Sequence, residues 1–186
     1  MSARRRLPME KALLGFLMEG PMHGYDLHRR VEEDLGRIWY MGLSNVYNAL
    51  NRLEEAGRVV ATLDPQESRP TRKVYRIAPT GRRAFQEWVH QPIQAIKDMR
   101  VEFPAKLYFF RTLDLGGVEK LIAAQEEMCR ERVERLERNA AQRGAHDFDR
   151  LVFDFRRRQI EAILGWLAFC REEWDQWAHV PAAAKP

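Results

Sequence analysis

Asn45, Asn48 and Arg52 recur at three- and four-residue spacing, with Asn51 at the edge of the row. That spacing predicts one face of a helix. Amide and guanidinium groups are the side chains that pair two-pronged with adenine and guanine edges in a DNA major groove. No carboxylate interrupts the face before Glu54 and Glu55, and an earlier one would be repelled by phosphate. Val46, Ala49, Leu50 and Leu53 form the opposite, apolar face. Ser44 stands where an N-cap or first-turn hydroxyl would sit. The Tyr47 phenol beside the amide row reads as a phosphate contact. Gly57 is the expected stop. A neutral surface helix fits the same residues, so this stretch alone leaves both readings open.

Its neighbours must position it. Met9 to Glu19 reads as a first helix with Leu13, Leu14, Leu17 and Met18 inward, closed by Gly20-Pro21. A second helix runs from about His23 to Leu35, with Leu27 and Val31 inward and Tyr25 near its start. Tyr25 suits a phosphate contact or a packed ring. Trp39 and Tyr40, in the connection that follows, read as core plugs. Together these predict a helix-turn-helix. After Gly57, Arg58–Leu63 and Thr71–Ile77 are rich in strand formers around a Pro- and Ser-containing turn, which predicts a two-stranded wing. Arg69, Arg72 and Lys73 cluster at its tip and return strand, as a phosphate or minor-groove contact would. Charges that blunt a sheet edge give the same pattern.

Charge distribution favours the nucleic-acid reading. Residues 1–90 hold 15 Lys+Arg against 11 Asp+Glu, whereas residues 91–186 hold 16 against 16, so the net +4 lies wholly in the first half. Arg4-Arg5-Arg6 suit a basic arm or a plain polar terminus. No apolar signal core follows them, and no run reaches the ~18 residues of a membrane span. We therefore expect a cytoplasmic protein without membrane contact. Cys129 and Cys170 are expected to be reduced and half-buried. His23, His28, His90, His146 and His179 are scattered. The chain has no phosphate loop, zinc spacing or nucleophile elbow. No catalytic residue, metal or cofactor is expected, and an enzyme is disfavoured.

Pro79-Thr80 opens a helix to about His90 with Ala84, Phe85, Trp88 and Val89 inward, and Gln91-Pro92 reads as the domain boundary. Beyond it the pattern is helical. A helix from about Phe103 to Leu113 admits Pro104 only in its first turn. Further helices are expected over about Val118–Gln142, with Gly144 as a stop, and about Phe148–Trp177. The last carries a stripe of Phe148, Val152, Phe155, Gln159, Ile163, Trp166, Cys170, Trp174 and Trp177, widened by Ile160, Leu164 and Leu167. So wide an apolar face on so long a helix argues for a dimer interface. An intrachain antiparallel pair with exposed aromatics is the competing arrangement. The tail from Val180 is read as unstructured.

The chain resembles the PadR family of transcriptional regulators, in the branch with a long helical C-terminal domain. The resemblance rests on Leu17 with Gly20-Pro21-Met22-His23-Gly24-Tyr25-Asp26-Leu27, then Ser44, Val46-Tyr47, Leu50, Arg52-Leu53 and Gly57. Tyr75-Arg76-Ile77 with Thr80-Gly81, and the block from Arg100 to Phe109, extend it over about residues 12–178. Arg58 departs from the aliphatic residue usual there. The expected fold is mainly α: a winged helix-turn-helix with a two-stranded β wing over residues 9–91, then an all-helical dimerisation domain over 92–180. The resemblance implies a homodimeric, sequence-specific regulator on a roughly palindromic operator in double-stranded DNA, with repression commoner than activation. The expected DNA-binding set is Tyr25, Ser44, Asn45, Tyr47, Asn48, Asn51, Arg52, Arg69, Arg72 and Lys73. Relatives that respond to phenolic acids or flat aromatic drugs imply a small aromatic effector, with Trp88, Trp166 and Trp174 as candidate lining; core packing competes for each. The alternative is a winged-helix protein-interaction module without DNA binding.

Overall fold

Helix α1 (Met9–Phe16) buries Ala12, Leu13, Leu14 and Phe16. Helix α2 (Gly24–Leu35) buries Leu27, Val31 and Leu35, and α3 (Leu43–Glu55) buries Val46, Ala49, Leu50 and Leu53. The α2 and α3 sets recur at the helical period, while α1 is buried all round from Ala12 to Phe16, so α1 is enclosed between neighbouring elements. The molecule is seen in a computed structural model that describes residues 9–64, 72–142 and 147–178. The arm at 1–8, the wing turn at 65–71 with Arg69, residues 143–146 and the tail from 179 lie outside the described residues, as do the side chains of Gln142, Trp177 and Ala178.

Strands β1 (Met22–His23), β2 (Val59–Asp64) and β3 (Arg72–Ile77) form an antiparallel sheet in the order β1-β3-β2. The expected wing had two strands. The third arises because α1 ends at Phe16, three residues before the expected Glu19, and after a turn over residues 17–19 and Gly20-Pro21 the chain runs extended at Met22 and His23, opposite Tyr75 and Val74. Two residues are too few to show a period. In β3, Tyr75 is buried at 2% exposure while Arg72 and Arg76 are exposed. Strand alternation thus puts Lys73 on the face that carries Tyr75, and Arg72 and Arg76 on the other.

Helix α4 (Pro79–His90) begins with Pro79 at its first turn, where the missing N–H costs nothing. Helix α5 (Met99–Thr112) follows a 3-10 turn at Ile96–Asp98. It starts four residues before the expected Phe103, so Pro104 lies inside the helix and not in its first turn. Pro104 lacks the N–H that the Arg100 carbonyl would accept. Burial of Met99, Val101, Phe103 and Ala105 offsets that loss.

Packing ties α5 to the first half of the chain. The Phe109 ring stands edge-on to Phe16 at 5.2 Å and to Phe85 at 5.3 Å between centroids. Tyr108 donates a short hydrogen bond to Asp34 of α2, which also accepts from Arg30 Nε. Burial, then the Asp34 bond, raises the Tyr108 pKa well above the usual phenol range. Lys106 is only 1% exposed. Its Nζ donates to the Gln91 carbonyl at 2.6 Å, pairs with Glu102 at 3.3 Å and lies 5.1 Å from the centre of the Trp88 ring. Burial lowers the Lys106 pKa, partly offset by Glu102. The first compact unit accordingly runs through Gly116 and includes α5.

The second unit, from Gly117, holds α6 (Val118–Gln142) and α7 (Asp147–Ala178). Leu121, Ile122 and Cys129 of α6 are buried, with Ile160, Leu167 and Cys170 of α7. Glu126 is 6% exposed and accepts from Arg171 at 2.8 Å and Arg130 at 3.1 Å. Part of the expected α7 stripe is not buried in this pair: Phe148 is 74% exposed and Phe155 61%. The pair leaves a second row uncovered. Phe148, Leu151, Phe155, Ala162, Gly165 and Phe169 are all exposed, at alternating three- and four-residue steps with Arg158 between. Burial pushes the Cys170 thiol up to about 11. No described helix is long and apolar enough to cross a membrane.

Candidate nucleic-acid interface

Helix α3 starts after Gly42, which occupies the cap position, so Ser44 lies in the first turn and is not the cap. Ser44, Asn45, Tyr47, Asn48 and Asn51 are exposed, while the four inner residues are 0% exposed. The helix is therefore fixed in rotation by its core. Its outer face offers a hydroxyl, three amides and a phenol. The helix ends in a Schellman turn: Arg58 N–H donates to the Leu53 carbonyl and Gly57 N–H to that of Glu54, with Gly57 at φ 62°. That turn leads straight into β2, and Thr80 Oγ1 braces it from α4 by donating to the Gly57 carbonyl at 2.5 Å.

One close approach marks the entry to α2. A Cβ built on Gly24 would lie 2.6 Å from Tyr47 Cε1. The Tyr47 ring thus lies against the first turn of α2, and a side chain in place of Gly24 would require that ring to shift. Tyr47 is still 39% exposed and Tyr25 56%, so both phenols can be reached from outside. Tyr40, expected in the core, is 81% exposed, and Trp39 is half-buried. Met41, at 0% exposure, fills the core from that connection instead. The exposed Tyr40 and Arg76 were not among the sequence candidates. Strand alternation with Arg72 could have picked out Arg76; no sequence signal picks out Tyr40.

The cations divide. Arg52 is turned toward α1, where its Nε donates to Glu10 Oε1 at 2.7 Å. Lys73 Nζ donates to Glu54 Oε2 at 3.1 Å, and that bond raises its pKa. Arg72 and Arg76 are exposed and make no ion pair among the described residues. His23 binds the base of the wing: its Nδ1 lies 3.3 Å from the Lys73 carbonyl and its Nε2 3.8 Å from Asp64.

The three candidate effector tryptophans do not share a unit. Trp88 lies in the first, 8% exposed, packed on Phe85 and Phe109, with Nε1 donating to Glu102 at 2.7 Å. It borders a cavity of about 160 Å³ whose wall also carries Asp98, Glu102 and Lys106. Trp166 and Trp174 lie half-buried on α7 in the second. Among the described residues no cluster of His, Cys, Asp or Glu could hold a metal ion.

Comparison with known proteins adds a family match. Residues 13–87 match the model of the transcriptional regulator PadR-like family, and residues 99–175 that of the virulence activator alpha C-terminal region. The negative transcriptional regulator PadR of Bacillus subtilis is 30% identical over 120 residues, 63% of this chain and 64% of that one. The aligned stretches span 64% and 50% of the first two curated relatives. Among solved structures, Bacillus subtilis PadR in complex with operator DNA is 25% identical, with 87% of this chain and 96% of that one covered at a TM-score of 0.44. A PadR-like regulator of Bacillus cereus is 23% identical, with 93% and 99% covered at a TM-score of 0.42.

The Gly24–Tyr47 contact generates a prediction. Gly24→Ala should leave the stability of the first unit within about 1 kcal/mol of wild type, because the half-exposed Tyr47 ring can swing aside and Ala favours a helix. Chemical denaturation measures it; a loss of about 1–3 kcal/mol would mean that the ring is held in place.

Proposed function

Because the chain belongs to the PadR-like family of transcriptional regulators, we propose that it is a homodimeric, sequence-specific DNA-binding regulator, acting in the cytoplasm and more often as a repressor than an activator. One observation carries the reading. The outer face of α3 is exposed, amide-rich and free of carboxylates through Asn51, while its inner face is wholly buried. A helix so held can offer Asn45, Asn48 and Asn51 to base edges in a major groove. Ser44, Tyr25 and Tyr47 flank that row with hydroxyls suited to phosphate. Arg72 contributes an exposed cation from the wing, and Arg69 belongs to the same proposed contact. Arg52, bound to Glu10, is better placed to set the angle between α1 and α3 than to read a base.

DNA reading is assigned to residues 9–91 and dimerisation to 92–180. The uncovered row on α7 supports the second assignment. Heptad-like steps from Phe148 to Phe169 form a seam ~32 Å long at 1.5 Å per residue, and a second copy's α7 is a self-complementary occupant. Two-fold symmetry would then place two α3 helices on a roughly palindromic operator. Control by a small aromatic effector is proposed at the cavity beside Trp88, which has room for about one six-membered ring.

Three outcomes are expected. Asn45→Ala with Asn48→Ala should cost ~1–3 kcal/mol of specific over non-specific binding for each base pairing removed, measured by gel shift on a genomically mapped site. Unchanged specificity would remove α3 as the reader. Phe155→Arg should convert the dimer to a monomer in sedimentation without unfolding either unit, and a persisting dimer would place the interface elsewhere. Titration with simple phenolic acids should quench the intrinsic tryptophan fluorescence, and Trp88→Phe should abolish the change; a flat response would exclude that effector class.

A further inference from the structure

We infer that Glu54 is a positioning residue which holds the wing cation Lys73 against the end of the recognition helix and keeps it out of the phosphate-neutralising set. The inference rests on the DNA-binding reading above and adds a division of labour between neighbouring cations.

Three observations carry it. Strand alternation sends Lys73 to the face of the hairpin that carries buried Tyr75, toward α3, while Arg72 and Arg76 project from the opposite face. On that inner face Lys73 Nζ meets Glu54 Oε2 at 3.1 Å. Its backbone is fixed as well, because its carbonyl lies 3.3 Å from His23 Nδ1 and Val74 pairs with His23 across β1 and β3. Lys73 is thus tied to the helix-turn-helix by both its side chain and its main chain.

Glu54 itself is otherwise out of place. It sits in the last turn of α3, where the helix dipole disfavours a carboxylate. It is also the first carboxylate along a helix offered to phosphate. Its contact with Lys73 accounts for both: the ammonium cancels its charge near DNA and at the negative end of the helix dipole. An exposed pair of this kind contributes little to stability, and what it changes is the charge balance at the interface. The pair presents no net charge, so phosphate neutralisation by the wing falls to the arginines on the other face. Tyr75 shares the face of Lys73, and His23 Nε2 lies 3.8 Å from Asp64 at the wing base.

Salt dependence of binding reads this directly, because each phosphate neutralised contributes about 0.9 to the slope of log affinity against log salt. The full chain, Glu54→Gln and the double variant Glu54→Gln with Lys73→Gln would be titrated against a non-specific duplex between about 50 and 200 mM salt. Glu54→Gln should steepen the slope by about 0.9, and the double variant should return to the wild-type value. A double-variant slope about 0.9 below wild type would show that Lys73 already neutralises a phosphate, and would overturn the inference. So would a Glu54→Gln slope equal to wild type. A flat slope in the wild type itself is a separate outcome, and it would remove the DNA reading and this inference with it. A merely structural role for the pair would shift thermal unfolding of the variants and leave the slopes together, which also overturns it.

Discussion

Burial of the inner face of α3 is the constraint on which the first unit depends. Val46, Ala49, Leu50 and Leu53 are all 0% exposed, against an α1 and α2 whose inner leucines are equally buried. A helix anchored at four positions over two turns cannot rotate without exposing one of them, at about 0.8 kcal/mol per methylene uncovered. The direction in which the asparagines point is therefore set by leucine and valine. The Schellman turn at Gly57 adds the direction in which the chain leaves toward the wing.

A second layer of packing keeps that core from standing alone. Phe16, Phe85, Trp88, Tyr108 and Phe109 interlock α1, α4 and α5 through edge-on and tilted rings. Two polar side chains within it are closely partnered. Lys106 finds the Gln91 carbonyl, Glu102 and the Trp88 face, and Asp34 receives Tyr108 and Arg30. These bonds cross the Gln91-Pro92 step, so the chain passes through a proline without ending its compact unit. The second unit is built differently. Helix α7 buries one row of apolar side chains on α6 and leaves another exposed.

Electrostatics follow the fold more than the composition. The first half of the chain holds the excess of four positive charges, yet Arg52 and Lys73 are matched to Glu10 and Glu54 within it. Arg72 and Arg76 project outward because their strand parity points them away. Neighbours in sequence thus end with different electrostatic environments, a consequence of the two-residue period of a strand.

The sequence by itself determined the order and type of the elements. The three-four spacing in α1, α2, α3, α6 and α7 and the alternation in β3 are local properties of the chain, and most ends fall within a few residues of the expected places. It determined the outer row of α3 as well, since a helix period fixes which residues share a face. Tertiary structure alone decided the rest. The two-residue β1 needed β3 beside it. Pro104 was drawn into the helix interior by the burial of Phe103 and its neighbours. Tyr40 was left outside because Met41 took the core site. Arg52 and Lys73 met their carboxylates across 42 and 19 residues. Period and propensity act between near neighbours, whereas the partner of a long charged side chain is whatever the fold brings within reach of its tip.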